Sequence, residues 1–233
     1  MKKTEIKTII ISLGGSLVVP EEVDVAFVRD FKKIIESKIK DDFRFILVVG
    51  GGKLARNYIS AADEVGEITD EDKDWIGIHA TRMNAHFVRT IFYKNAYMKI
   101  ITSMEKIEEC INSNAMVVIA SGWKPGNSTD YIAVSLAKKM AIKQIINLSN
   151  ISYVYDKDPR KYFTAREIRN ISWKDFRNMF EKKWSPGLNT PFDPIAAEMA
   201  EKEGFQVAIM NGKDLDNLNK YLDGKKFDGT LIG

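Results

Sequence analysis

Cysteine is almost missing from this chain of 233 residues: Cys110 is the only one. That excludes an intramolecular disulfide framework and every cysteine-rich zinc site, and Cys110 reads as a small, half-buried side chain. Histidine is nearly as scarce. His79 and His86 are the only two; they lie seven apart on one helical face, two turns and too far for a single ion, so they read as packing or interface residues and no metal-ligand set emerges. No apolar stretch approaches the roughly 20 residues that span a bilayer. The basic start "MKKTEIKTIIISLGGSL" runs into glycines instead of a small-residue cleavage site, so it reads as a first core strand of a soluble, cytoplasmic protein. Charge of one sign is not in excess either. The formal charge is +3 with a pI near 8.7, and "KKIIESKIKDD" interleaves both signs, which describes a solvated surface and argues against a nucleic-acid partner.

With 45% hydrophobic and 29% charged residues, the chain can bury a sizeable core, and residues 1–233 read as one domain. Apolar, β-branched runs recur at 8–13, 45–49, 98–102, 115–120, 144–148, 206–210 and near 230–232. Continuous runs of that length suit strands covered on both faces, hence a mainly parallel sheet. Helical patterns separate them. Asp24 can cap a segment whose Phe27, Val28, Phe31, Ile34 and Ile35 share one face, and residues 54–65, 72–92, 129–140, 172–180 and 191–202 follow the same period. The alternation predicts a three-layer α/β/α sandwich. The longest irregular segment, 181–194, carries three prolines and reads as an ordered loop leading into a helix.

Three loops have the chemistry of phosphate cradles. "SLGGSL" (12–17) follows the first strand, and adjacent glycines let successive amide N–H groups face an anion, although a plain tight turn looks the same. "VVGGGKLAR" (48–56) sets a triple glycine and the positive end of a helix on one point, with Lys53 and Arg56 nearby. Its spacing is neither the P-loop nor the dinucleotide fingerprint. "ASGWKPGNSTDYIAVSLA" (120–137) repeats the plan, with Ser128, Thr129 and Asp130 in the first helical turn. There Asp130 serves either as a cap or as a carboxylate that organises a cation beside a phosphate chain. Parallel strands would bring all three loops to one sheet edge. Amide cradles without a nucleophilic side chain suit phosphoryl transfer, where positioning and charge neutralisation do the catalysis.

"SLGGSL", "GGGKLAR", "DWIGIHATRMNA", "GNSTD" and "YVYDKDP", in that order, resemble the amino acid kinase superfamily, and within it the uridylate (UMP) kinases of archaeal type. The resemblance implies the amino acid kinase fold and an ATP-dependent nucleoside monophosphate kinase that makes UDP from UMP with Mg²⁺. It further implies a homo-oligomer, typically a hexamer. By position, it gives Asp130, Arg56 and Lys53 catalytic roles. UMP would be bound by Gly51, Asp74 and the loop of Trp123, Lys124, Pro125, Gly126, Asn127, Ser128 and Thr129. ATP would be bound by Gly14, Gly15, Ser16, Gly52, Arg56, Ser149, Tyr155 and Asp158.

Three departures stand out. Ser12 occupies a place where many bacterial relatives carry a lysine for the transferring phosphate, and Lys7 or Lys53 is the expected replacement. Ser152 and Tyr153 replace a common Asp-Gly turn, which removes glycine's freedom at positive φ. Trp123 and Lys124 are bulkier than the UMP loop usually carries. Two other functions are compatible with the same fold: another small-molecule kinase of the superfamily, or a catalytically weak nucleotide-binding or storage protein. The absence of histidine just after the glycine triplet argues against an isopentenyl phosphate kinase.

Overall fold

The computed structural model describes residues 6–180 and 190–233. A seven-stranded sheet runs in the order β3-β2-β1-β4-β8-β9-β7, built from β1 (Lys7–Leu13), β2 (Phe43–Val49), β3 (Val117–Ala120), β4 (Gln144–Ser149), β7 (Asn170–Ile171), β8 (Gln206–Asn211) and β9 (Thr230–Ile232). Every pairing is parallel except β8 with β9. Successive residues of a strand point to opposite faces, and Ile10 and Ile11 are both fully buried; the sheet is therefore covered on both sides. One face packs on α6 (Thr129–Lys139), α7 (Trp173–Met179) and α8 (Pro194–Glu203), the other on α2 (Val25–Lys40), α4 (Asp70–Ile91) and α9 (Leu215–Leu222). Three layers result, as the alternation of apolar runs and helical patterns predicts.

Local chemistry explains the helix boundaries. Asp24 caps α2, its carboxylate accepting from the Phe27 N–H at 2.9 Å. Asp193 caps α8, whose first residue is Pro194, a position where the missing N–H costs nothing. The expected run at 98–102 is not a strand. Within it only Ile101 bridges edge strand β3, a second isolated bridge lies before it at Ala96, and Met98 between the two is 79% exposed. With no strand outside it to pair with, the segment bows away. Helix α9 lacks a counterpart among the expected elements although Asp214 caps it, and a short hairpin of β5 (Val154–Tyr155) and β6 (Glu167–Ile168) was equally unannounced. Residues 181–189, the bulk of the expected irregular loop, lie outside the described residues.

The replaced Asp-Gly turn is resolved by packing. Neither Ser152 nor Tyr153 adopts positive φ, so glycine's freedom is not needed. Tyr153 is buried, its hydroxyl donates to Asp228 at 2.8 Å, and the Arg169 guanidinium lies 5.1 Å from its ring centre.

Candidate active site

Strands β3, β2, β1 and β4 are neighbours and point the same way, so the loops leaving their C-terminal ends must meet. They enclose a cleft of about 740 Å³. The first loop opens the short helix α1 (Gly15–Val18) and the second opens α3 (Gly52–Val65). The third opens α6, with the Ser128 hydroxyl accepting from the Tyr131 N–H at 3.1 Å.

The first two loops touch backbone to backbone. A methyl group on Gly15 would sit 2.3 Å from the Gly50 carbonyl oxygen and 2.5 Å from the Gly52 nitrogen. Gly52 itself has φ of 62°, in the left-handed region, and presses on Gly15. Glycine is required here for contact as well as conformation. Arg56 spans the same junction, donating to the Ser16 hydroxyl at 3.0 Å.

Helix α4 holds the other side. Its Asn84 amide donates to the carbonyls of Gly50 and Gly51 at 2.9 and 3.2 Å. The Thr81 hydroxyl accepts from the Gly122 N–H at 2.7 Å, and Asp74 accepts from the Gly126 N–H at 2.7 Å. Burial raises the Asp74 carboxyl above its ordinary value, and the Gly126 N–H partly offsets this. Removing the buried Asn84 amide would strand the Gly50 carbonyl, since the Gly51 carbonyl still accepts from the Ala55 N–H at 3.4 Å, and a buried polar group left without a partner costs about 1 to 3 kcal/mol. Asn84→Ala is therefore expected to lower unfolding stability by that amount, measured by urea denaturation. An unchanged midpoint would mean that α4 does not hold the second loop.

At the cleft floor lies Asp130. Its Oδ1 accepts from the Ser12 hydroxyl at 2.9 Å and from the Asn147 amide at 3.0 Å, and its Oδ2 accepts from the Asp193 N–H at 3.3 Å. Ser12 and Asn147 are register partners on β1 and β4, so both reach the same face. Burial, then the neighbouring Asp193 charge, push the Asp130 carboxyl up to about 7; the Ser12 hydrogen bond acts against this. Burial raises Asp193 as well.

The cleft brings together Gly14, Gly15, Ser16, Gly51, Gly52, Arg56, Asp74, Lys124, Asn127, Ser128, Thr129, Asp130 and Ser149. It does not bring in Lys53, Trp123, Pro125, Gly126, Tyr155 or Asp158. Lys53 forms an ion pair with Glu21 outside the lining. The Trp123 ring packs against the core beneath α6, which is where its extra bulk goes. Lys7 cannot replace the missing strand lysine: it starts β1, about 20 Å from the strand's other end at 3.3 Å per residue, and its ammonium lies 5.2 Å from the Phe43 ring centre. Sequence reasoning missed Asn147, Asp193, Thr81 and Asn84. Asn147 did leave a signal, a polar residue inside the apolar run "QIINLS" of a strand buried on both faces.

The Amino acid kinase family model matches residues 7–211. A uridylate kinase of Thermoplasma volcanium is 35% identical over 230 residues, 97% of each chain. A uridylate kinase of Pyrococcus abyssi is 31% identical, over 96% of this chain and 98% of its own. The crystal structure of uridylate kinase from Archaeoglobus fulgidus superposes with a TM-score of 0.81 at 31% identity, covering 97% of this chain and all of that one. With the family model running from the first residue of β1 to the last of β8, through every strand whose end forms the cleft, the chain belongs to the amino acid kinase family.

Proposed function

We propose that the chain is an ATP-dependent UMP kinase, transferring the γ-phosphoryl group of ATP to UMP to give UDP. The observation that carries this reading is the convergence of three glycine-bearing loops, Arg56 and the buried Asp130 on one cleft, a set that neutralises and positions phosphates and offers no covalent nucleophile. The uridylate kinase relatives supply the identity of the acceptor. The cleft crosses three inter-strand gaps of about 4.8 Å each, enough to seat two phosphate chains end to end. UMP takes the β3 side, where Asp74 and residues 123–129 lie, and ATP takes the β4 side, with Ser149, Tyr155 and Asp158.

In this reading the amides of Gly15, Gly51 and Gly52 face the phosphates in transfer, while the Gly14 N–H is held by the Leu148 carbonyl at 2.9 Å and fixes the first loop, and Arg56 grips the phosphates with its planar fork. Asp130 organises the transfer centre, with Lys53 as a more distant cation. Mg²⁺ at such transfer sites is held chiefly by substrate phosphates and one or two carboxylates. Asp130 and Asp193 are the residues that would hold it, and Asp193 Oδ2 is buried without a hydrogen-bond partner among the described residues. When bound, Mg²⁺ would neutralise the phosphate charge that develops in transfer. The in-line attack needs no protein nucleophile: the UMP phosphate oxygen attacks, ADP leaves, and the protein fixes both in line.

No described helix is long and apolar enough to cross a membrane. A homo-oligomer, hexameric by family resemblance, belongs to the same proposal, with light scattering as its measure. The deciding assay gives the purified protein ATP, Mg²⁺ and a panel of monophosphates. UDP is the expected product, with UMP preferred over CMP. No UDP, or no preference, would overturn the reading.

A further inference from the structure

Ser12 leaves the floor of the cleft without a strand cation, and the structure rejects Lys7 and ties Lys53 to Glu21. The charge that would face donor phosphates must come from elsewhere. Among the described residues the cations lining the cleft are Arg56, Lys73, Lys124 and Arg160. Three belong to the β2 and β3 side: Arg56 bonds Ser16 across the first two loops, Lys73 on α4 pairs with Asp63 at 3.0 Å, and Lys124 sits in the loop after β3. Arg160 alone follows β4, whose end supplies Ser149 and Asn150 to the same cleft.

Its present partner is a local one. Asp158 accepts from the Arg160 backbone N–H at 3.0 Å, from Nε at 3.1 Å and from Nη2 at 3.2 Å. The Arg160 side chain is 74% exposed, and an exposed ion pair of this kind is weak because solvent and salt screen it. A phosphate chain, with more charge and acceptors matched to the planar fork, competes easily for such a guanidinium.

From this geometry we infer that Arg160 is a binding residue for the donor's polyphosphate, held by Asp158 in this structure and exchanged onto phosphate oxygens when the nucleotide enters. The inference rests on ATP being the donor, yet its ligand chemistry is a linear polyphosphate, and that part can be tested without turnover.

Three proteins decide it: Arg160→Ala, Arg160→Lys, and Lys161→Ala, which removes an equal charge from an exposed neighbour outside the cleft lining. Isothermal titration with inorganic tripolyphosphate and steady-state kinetics are run on each. A charge-assisted hydrogen bond of about 1.5 to 3 kcal/mol corresponds to roughly ten- to a hundred-fold in affinity. Arg160→Ala is expected to lose tripolyphosphate affinity and raise the KM for ATP by that factor, with the KM for UMP unchanged. Arg160→Lys should recover part of the loss, and Lys161→Ala should match the natural protein. Equal tripolyphosphate affinity in Arg160→Ala and the natural protein overturns the inference, as does an equal loss in Lys161→Ala. If the natural protein makes no UDP, the kinase reading fails alone, and the titration still decides on Arg160.

Discussion

Asp130→Asn is expected to remove UDP formation, by on the order of a hundred- to a thousand-fold in kcat, while making the protein more stable above neutral pH. The two effects share one cause. Asp130 is buried beside Asp193, and its carboxyl stands at about 7 against an ordinary 3.8. Between those values the folded protein holds a proton that the unfolded chain has released, so stability falls as pH rises from about 4 to about 7, by a few kcal/mol in total. Above pH 7 the fold carries the full cost of a buried anion. Asparagine carries none of it: its carbonyl still accepts from Ser12 and Asn147, and only the long 3.3 Å contact from the Asp193 N–H is lost. Thermal melts at pH 5 and pH 8 check the sign. The gap in melting temperature between variant and natural protein should widen toward pH 8, at about 2 to 4 °C per kcal/mol for a chain of this size. A variant that melts lower at both values would show that the carboxylate stabilises the fold, and its retention could not then be attributed to the chemistry of the cleft.

Asp130 is also a measure of what the sequence makes legible. The residue sits in "GNSTD" at the start of a helical pattern, where capping chemistry and a run of small polar residues mark it. The two glycine loops carry similar marks, because close backbone approach and the positive φ of Gly52 leave a glycine-rich composition, although a plain tight turn leaves the same mark at "SLGGSL" and only the meeting of the two loops separates the readings. Asn84 and Thr81 carry none. Each is a polar residue in a long amphipathic helix, indistinguishable from the solvated face until the second and third loops are laid over α4. Asp193 falls inside the helical pattern expected at 191–202, whereas α8 starts at Pro194 with Asp193 as its cap, and its nearness to Asp130 follows only from α8 packing beside α6. Trp123 and Tyr153 mark the opposite error. Trp123 reads as an intrusion by its bulk and Tyr153 as the loss of a glycine, yet the Trp123 ring packs against the apolar core and Tyr153 is buried with its hydroxyl on Asp228 and its ring beside Arg169, since a large ring at a strand end gains more from burial than from the cleft.

The interlock of the first two loops gives the second large effect. Gly15→Ala should lower unfolding stability by about 3 kcal/mol or more and take activity below detection, because the added methyl meets backbone rather than a side chain that can swing away. Each atom it meets is already fixed. The Gly50 N–H is bonded to the Leu13 carbonyl at 2.9 Å, the Gly50 carbonyl accepts from Asn84, and the Gly52 backbone occupies a left-handed turn that opens α3. Relief requires the strand ends of β1 and β2 to move apart by more than an ångström, which would break the Arg56 to Ser16 hydrogen bond and turn the amides of both loops off a common point. Gly66→Ala is the control: that glycine is extended, at φ of −180°, with nothing within 4 Å of an added methyl, and its stability should stay within about 0.5 kcal/mol of the natural protein. If guanidinium denaturation gave Gly15→Ala and Gly66→Ala the same midpoint, the loops would have to be separable, and the phosphate cradle would not depend on their contact.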